Sequence, residues 1–253
     1  MKAFELISPI EEFAPLWQQE KWDNCGFCVG DPNMDVTRAL VALDCTEEVV
    51  DEAIETGADI IITHHPLIFG GVKKISPQNW LGRVLYKAIS HNIAIYAAHT
   101  NMDKAAEGVS GLMAQKLQLQ ECSPLLPDSF GVVGNLDADL SVEEFVKKVK
   151  SAFGVEAVRC SAPIDGKIRR VAVCGGSGKS FIPDAMAAGA QVYVTGDVTY
   201  HEFYAEKGFM VMDIGHYSSE YGIVHLFKNI LSKNFPTFAV SISTKNNNPI
   251  YYY

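Results

Sequence analysis

The sequence predicts an α/β fold, two topologically similar α/β domains with a metal site in the cleft between them. Three observations carry that expectation. Helical and extended signals alternate along the whole chain, which favours parallel-rich sheets layered with helices. The segment Ala53-Ile54-Glu55-Thr56-Gly57-Ala58-Asp59-Ile60-Ile61-Ile62-Thr63-His64-His65 lies without gaps against Ala185-Met186-Ala187-Ala188-Gly189-Ala190-Gln191-Val192-Tyr193-Val194-Thr195-Gly196-Asp197. The apolar run Ile60-Ile61-Ile62-Thr63 closes on His64-His65-Pro66, so two imidazoles stand beyond a strand's carboxyl end, where α/β sheets place their ligands.

Ser8-Pro9-Ile10-Glu11 has capping-box spacing with proline at the first helical position, and predicts a helix to about Glu20. Arg38 to Asp44 reads as a buried strand. Thr46 caps a helix that Gly57 ends, and Ala58 to Thr63 is the next strand. Ser76-Pro77 opens another helix, followed by a strand from Ile93 to Ala98 and a helix from about Gly108 to Leu117. The stretch Glu121-Cys122-Ser123-Pro124-Leu125-Leu126-Pro127-Asp128 carries two prolines and is the expected domain boundary. It divides the chain into 1–126 and 127–253, with a C-terminal strand near 237–253 able to pack back on the first half. Ser141-Val142-Glu143-Glu144 is a second capping box and restarts the alternation.

Composition narrows the function. The 253 residues are 48% hydrophobic and 20% charged, ordinary for a globular protein. No stretch approaches the roughly 20 apolar residues of a membrane span, and Met1-Lys2-Ala3-Phe4-Glu5-Leu6 lacks a signal peptide's apolar core. A cytoplasmic protein is expected. A net charge of −9 argues against non-specific binding to nucleic acid or anionic membrane, though bound metal ions can reverse the field locally for a nucleotide. Six cysteines without a secretion signal fit free thiols in a reducing compartment. Cys25-Gly26-Phe27-Cys28 has redox or half-zinc-site spacing, but no second pair completes a four-cysteine site, and packing of an early turn is the preferred reading.

The candidate ligands follow from the repeat. Ala98-His99-Thr100-Asn101-Met102-Asp103 matches Gly215-His216-Tyr217-Ser218-Ser219-Glu220: each gives a histidine, three residues, then a carboxylate after an apolar strand. His64 and His65 are read as metal ligands, best served by two ions because neighbouring side chains on extended backbone diverge; a cap-and-turn role before Pro66 is the alternative. His216 and Glu220 share a helix face at i and i+4, and Asp103 repeats the place of Glu220. His99 repeats that of His216 and is expected beside the ligands as a proton carrier or hydrogen-bond partner. His201 is the best spare acid–base group, since imidazole titrates near neutrality. Asp44, Asp197 and Asp213 stand at strand ends, with Asp44 and Asp197 expected to orient ligands or touch substrate. His91 and His225 read as structural, one near a helix end and the other on an apolar helix face.

Gly175-Gly176-Ser177-Gly178-Lys179-Ser180 invites a P-loop reading. The spacing G-x-x-x-x-G-K-S needs glycine at 173, where Val173 stands, so a Walker-type site is not expected. Gly176 and Ser177 remain candidates to offer backbone amides to a phosphate, against a plain tight turn.

Together these signatures resemble the Nif-three-like dinuclear-metal family, whose bacterial members are often labelled GTP cyclohydrolase type 2 homologues. The likeness runs through Trp22-Asp23-Asn24 with Gly26, Gly57-Ala58-Asp59 to Pro66, and Ala98-His99-Thr100 with Asp103. It continues through Gly175-Gly176-Ser177-Gly178, Gly196-Asp197 with Tyr200-His201, and Gly215-His216 with Glu220, to Asn248-Pro249. The resemblance implies two interlinked domains, ligands His64, His65, Asp103, His216 and Glu220, and a ring-shaped homohexamer with its metal sites facing an interior cavity. It also implies that the extra domain inserted in longer relatives has no room here. Two divalent ions per subunit, zinc, iron or manganese, are expected from the imidazole–carboxylate set.

The expected chemistry is that of a hydrolase using a metal-activated hydroxide, either GTP cyclohydrolase-like or a phosphoesterase. His201 or His99 would move the proton, and a phosphorylated or nucleotide small molecule would be the substrate. The rival is a non-catalytic, metal-holding or regulatory scaffold acting through protein contacts, since relatives have also been described as partners of transcriptional regulators. The closing Asn248–Tyr253 aromatics offer such a contact, a strand or subunit seam being the preferred use.

Overall fold

The computed structural model describes residues 1–251, so Tyr252 and Tyr253 of that closing aromatic segment lie outside the described residues. In chain order the helices and strands are α1 (Ala3–Phe13), β1 (Gly26–Val29), β2 (Arg38–Ala42), α2 (Glu47–Thr56), β3 (Ile60–Thr63), α3 (Trp80–Ser90) and β4 (Ala94–Ala97). Then come α4 (Thr100–Lys104), α5 (Val109–Lys116), β5 (Gln120–Pro124), β6 (Val132–Leu140), α6 (Val142–Phe153), β7 (Arg159–Cys160) and β8 (Ile168–Val173). The chain closes with α7 (Ile182–Ala187), β9 (Val192–Thr195), β10 (Met210–Asp213), α8 (His216–Glu220), α9 (Gly222–Asn234) and β11 (Ala239–Ile242). None of these helices is long and apolar enough to cross a membrane.

The chain forms two units. Residues Met1–Met102 and the described residues from Ile223 on make the first, and Asp103–Gly222 makes the second. This differs from a boundary at 126/127. The buried face of α5, Val109, Met113 and Ala114, contributes Met113 and Ala114 with Leu117 to the second unit's core. The two-proline stretch begins in an edge strand, β5, antiparallel to β6 and ending at Pro124, and an edge is where a sheet tolerates proline.

The first unit's sheet runs β1-β4-β3-β2-β11, the second's β5-β6-β8-β9-β10-β7. In each unit three consecutive parallel strands form the middle, β2-β3-β4 and β8-β9-β10. In each, the short strand just before the trio pairs antiparallel with its last member: β1 on β4 and β7 on β10. The repeat read in the sequence is therefore a repeat of topology. α2 and α7 both run into a glycine with positive φ, Gly57 at +69° and Gly189 at +74°, before a fully buried strand. β11 lies parallel to β2, which is why the last stretch of chain belongs to the first unit.

The middle parallel strands are largely buried on both faces, as central parallel strands are, while the edge strands β5 and β7 are exposed. Val171 and Val173 pack on one side of the second sheet, Ala172 and Cys174 on the other. Ile60, Ile61 and Ile62 are wholly buried, each contributing about 1.5–3 kcal/mol. Glu52 of α2 accepts from Ser243 Oγ, from Thr244 N at 2.9 Å and from Thr244 Oγ1 at 2.8 Å. Asn246 Oδ1 accepts from Leu43 N at 2.5 Å and Asp44 N at 3.1 Å, fixing the chain at the end of β2.

Two helix starts differ from expectation. α1 begins at Ala3, where Glu5 accepts from Lys2 N at 2.7 Å, and Pro9 lies inside it. Proline cannot bond the carbonyl four residues back, but Ser8 Oγ donates to that carbonyl, Glu5 O, at 3.0 Å. α3 begins at Trp80 because Asn79, not Ser76, caps it, accepting from Gly82 N at 2.8 Å.

Candidate metal centre

In the first unit, β3 ends at Thr63 and the chain bends at once. Thr63 Oγ1 donates to His65 O at 2.8 Å and His65 N to Leu43 O at 3.0 Å. The bend turns the two histidines together instead of letting them diverge as on extended backbone, and their rings lie 5.0 Å apart. His99, between β4 and α4, stands 5.2 Å from His64 and 5.4 Å from His65. The three offer ring nitrogens within 4.8 Å of one another. His99 thus shares one imidazole group with His64 and His65.

Each ring is oriented through Nδ1. His64, wholly buried, bonds Ala98 O at 2.9 Å. A carbonyl only accepts, so Nδ1 carries the proton and Nε2 the lone pair. His65 Nδ1 lies 2.7 Å from Asp44 Oδ1, and His99 Nδ1 lies 3.0 Å from Asp23 Oδ1.

Sequence alone does not single out Asp23 as a site residue; its place in Trp22-Asp23-Asn24 is its one signal. It also accepts from Thr100 N at 3.0 Å and Thr100 Oγ1 at 2.5 Å. Burial raises its pKa, but the His99 hydrogen bond and charge, with the Thr100 donors, outweigh it and hold the carboxyl well below the usual range.

Cys25 Sγ lies 3.2 Å from both Asp23 Oδ2 and Asn101 Oδ1, and burial pushes its thiol up to about 12. Burial raises Cys28 as well. Neither is disulfide-bonded, and raised pKa values suit packed thiols rather than reactive ones.

In the second unit, α8 opens at His216, after Gly215 at φ +83°. His216 Nδ1 lies 2.7 Å from Asp197 Oδ2, and Nε2 lies 3.0 Å from Glu220 Oε2. Asp197 holds a left-handed φ of +53°, a conformation that costs a non-glycine residue energy and gathers at functional sites. Buried Asp213 arranges this corner: it accepts from Val198 N at 2.9 Å and Gly215 N at 2.8 Å and pairs with Arg159. Asp103 offers a carboxylate oxygen within 4.8 Å of one from Glu220.

The glycine turn is the wall behind these candidate donors. A Cβ on Gly176 would meet Glu220 Oε1 at 2.1 Å, and one on Gly175 would meet Glu220 Cγ at 3.3 Å. Gly176 N donates to Ser219 Oγ at 2.9 Å and Gly178 N to Thr195 Oγ1 at 3.1 Å. Those two amides therefore serve the fold and do not cradle a phosphate; Ser177 is exposed between them.

His201 is exposed on a short 3-10 turn, its ring against Tyr200 and Tyr204 at 5.4 and 6.5 Å. It belongs to none of the groups of clustered donors among the described residues. His91 is structural, its Nδ1 on Lys87 O at the end of α3, and His225 is exposed on α9 rather than on its apolar face.

The donor chemistry fits a metal. Imidazole with carboxylate suits zinc, iron or manganese and not a calcium or magnesium cage. The family model described as Duf34/NIF3 (NGG1p interacting factor 3) matches residues 1–249. A Clostridium perfringens protein named GTP cyclohydrolase 1 type 2 homolog is 38% identical over 232 residues, 88% of each chain. The crystal structure of a Bacillus cereus protein related to NIF3 superposes with a TM-score of 0.94 at 26% identity, covering 100% of this chain and 99% of that one. Reduced HcgD from Methanocaldococcus jannaschii superposes with a TM-score of 0.84 at 32% identity, covering 97% and 98%.

Proposed function

Because the chain belongs to the Duf34/NIF3 (NGG1p interacting factor 3) family, we propose that it is a dinuclear metal-dependent hydrolase. His64, His65, Asp103, His216 and Glu220 hold the two divalent ions, zinc, iron or manganese. One observation carries the reading. His64, His65, His99 and His216 each have Nδ1 fixed by a carbonyl or carboxylate oxygen. Metal-binding imidazoles are oriented in this way, with the outer acceptor setting both tautomer and basicity.

Two ions bring four positive charges against two from Asp103 and Glu220, and when bound they supply Lewis-acid chemistry and acidify water. The chain does the rest. Asp44 and Asp197 keep His65 and His216 in register, and Asp23 does the same for His99. His99 or His201 takes up the proton that the attacking water loses. The substrate class is a phosphorylated small molecule. A guanine nucleotide is in view because the Clostridium perfringens relative is named a GTP cyclohydrolase 1 type 2 homolog. Assembly into a ring of six copies in the cytoplasm belongs to the same proposal, on the family resemblance. The words "interacting factor" in the family's description favour a second reading, a scaffold that holds metal and acts through protein contacts.

Turnover separates the two. Metal-loaded protein is assayed on nucleoside triphosphates, with formate release from GTP, and on phosphodiesters. Glu220→Ala is expected to lose metal and, with it, activity. His201→Ala is expected to keep metal and lose about 10²–10⁴-fold in turnover if His201 carries the proton. Full activity in His201→Ala assigns the proton to His99. No metal-dependent turnover by the wild type would leave the scaffold reading.

A further inference from the structure

We propose that Trp22 and Phe69 are the walls that bind a planar heteroaromatic ring, of the nucleobase class, beside the His64, His65 and His99 group. The inference rests on the hydrolase reading for its site and deepens it by naming what the substrate must contain. Both rings are left in solvent, Trp22 61% and Phe69 53% exposed. Both stand on the same imidazole. Trp22 meets His99 at 6.0 Å between centroids and 74° between planes, Phe69 at 5.6 Å and 83°.

Neither aromatic sits on a loose loop. Asp23, next to Trp22, is anchored by His99 and by both donors of Thr100. Asn24 Nδ2 then donates to Ile68 O at 2.8 Å, tying the Trp22–Asn24 segment to the residue before Phe69. Two exposed rings are thus held in one rim, and a rim ordered in advance loses little entropy on binding.

The chemistry of such a rim selects its ligand. Aromatic walls recognise the π-face that every nucleobase presents and that a sugar phosphate lacks, and stacking of this kind tolerates different bases. A ring seated against Trp22 or Phe69 lies beside His99, whose Nδ1 is already fixed by Asp23.

Metal-loaded wild type, Trp22→Ala, Trp22→Phe and Phe69→Ala are compared by equilibrium dialysis with guanosine and with ribose 5-phosphate. Light scattering and metal analysis are run on each. Guanosine affinity is expected to fall about 5- to 100-fold in each alanine variant and to recover largely in Trp22→Phe. Ribose 5-phosphate affinity, metal content and assembly mass stay at wild-type values. The proposal is overturned if the wild type fails to bind guanosine, if the alanine variants bind it as well as wild type, or if ribose 5-phosphate affinity falls equally. A drop in assembly mass would also overturn it, giving the rings to a second copy of the chain. Metal and turnover with unmoved guanosine affinity would sink this inference alone. Ring-dependent guanosine binding by a protein that holds no metal would sink the hydrolase reading and leave this one standing.

Discussion

On the proposed ligand set, replacing Gly176 with alanine should weaken metal binding without removing a ligand. The new Cβ would lie 2.1 Å from Glu220 Oε1, 3.1 Å from Glu220 Cδ and 3.3 Å from His216 Cε1. Glu220 is only 3% exposed, so its carboxylate has little room to swing away. To regain an ordinary 3.4 Å contact, Oε1 must retreat by about 1.3 Å, whereas ligand distances tolerate about 0.2 Å. Gly57→Ala is the control. Its φ of +69° resembles the +59° of Gly176, yet nothing lies within 4 Å of its added Cβ. Both variants bear the left-handed backbone cost of about 1–2 kcal/mol. Gly176→Ala adds about 1–3 kcal/mol for disturbing the buried Glu220 carboxylate and its contact with half-buried His216. Thermal unfolding of metal-free protein should rank wild type, Gly57→Ala, then Gly176→Ala. Zinc titration calorimetry should show wild-type binding for Gly57→Ala and a loss of at least about 10–100-fold for Gly176→Ala. Wild-type zinc affinity in Gly176→Ala would refute the placement of the turn against the ligands.

Glu52→Gln should destabilise the protein by about 1–3 kcal/mol in urea at neutral pH, because charge-assisted bonds to Ser243 and Thr244 weaken. Burial raises the Glu52 pKa, but these donors outweigh it and leave it lowered. Its contribution is therefore full above its unfolded value and is lost as pH falls through the folded one. The gap between wild type and Glu52→Gln should accordingly close on acidification, and a gap that widens would contradict the sign. Asp23→Asn should lower metal affinity or turnover about 10–100-fold by loosening His99, and wild-type values in both calorimetry and turnover would reject that role. The lowered pKa of Asp23 has the same sign, so Asp23→Asn should unfold like wild type only at pH values below the folded pKa.

Much of this arrangement was legible because local rules decided it. The αL glycines Gly57 and Gly189, the Ser141–Glu144 capping box and the buried strands follow from backbone geometry and periodicity. The histidine–carboxylate repeat also carried His99/Asp103 and His216/Glu220 to equivalent places after β4 and β10. What sequence could not give depends on partners far along the chain. Asp23 matters because residues 99 and 100 fold onto it, and Asn246 because it closes over Leu43 and Asp44. Pro9 misled the helix start, since Ser8 rescues the carbonyl that proline strands. From sequence the Gly176 amide reads as available for phosphate, but in the fold Ser219 accepts from it, as Thr195 does from the neighbouring Gly178. Spacing predicts a turn, but not what fills its hydrogen bonds.

Metal analysis of reconstituted, extensively dialysed protein tests the central proposal most directly, with His64→Ala and Glu220→Ala measured beside the wild type. Two divalent ions per chain in the wild type, and fewer in both variants with the fold retained by circular dichroism, is the result this account predicts. Background metal in the wild type, or two ions per chain in both variants, would contradict it.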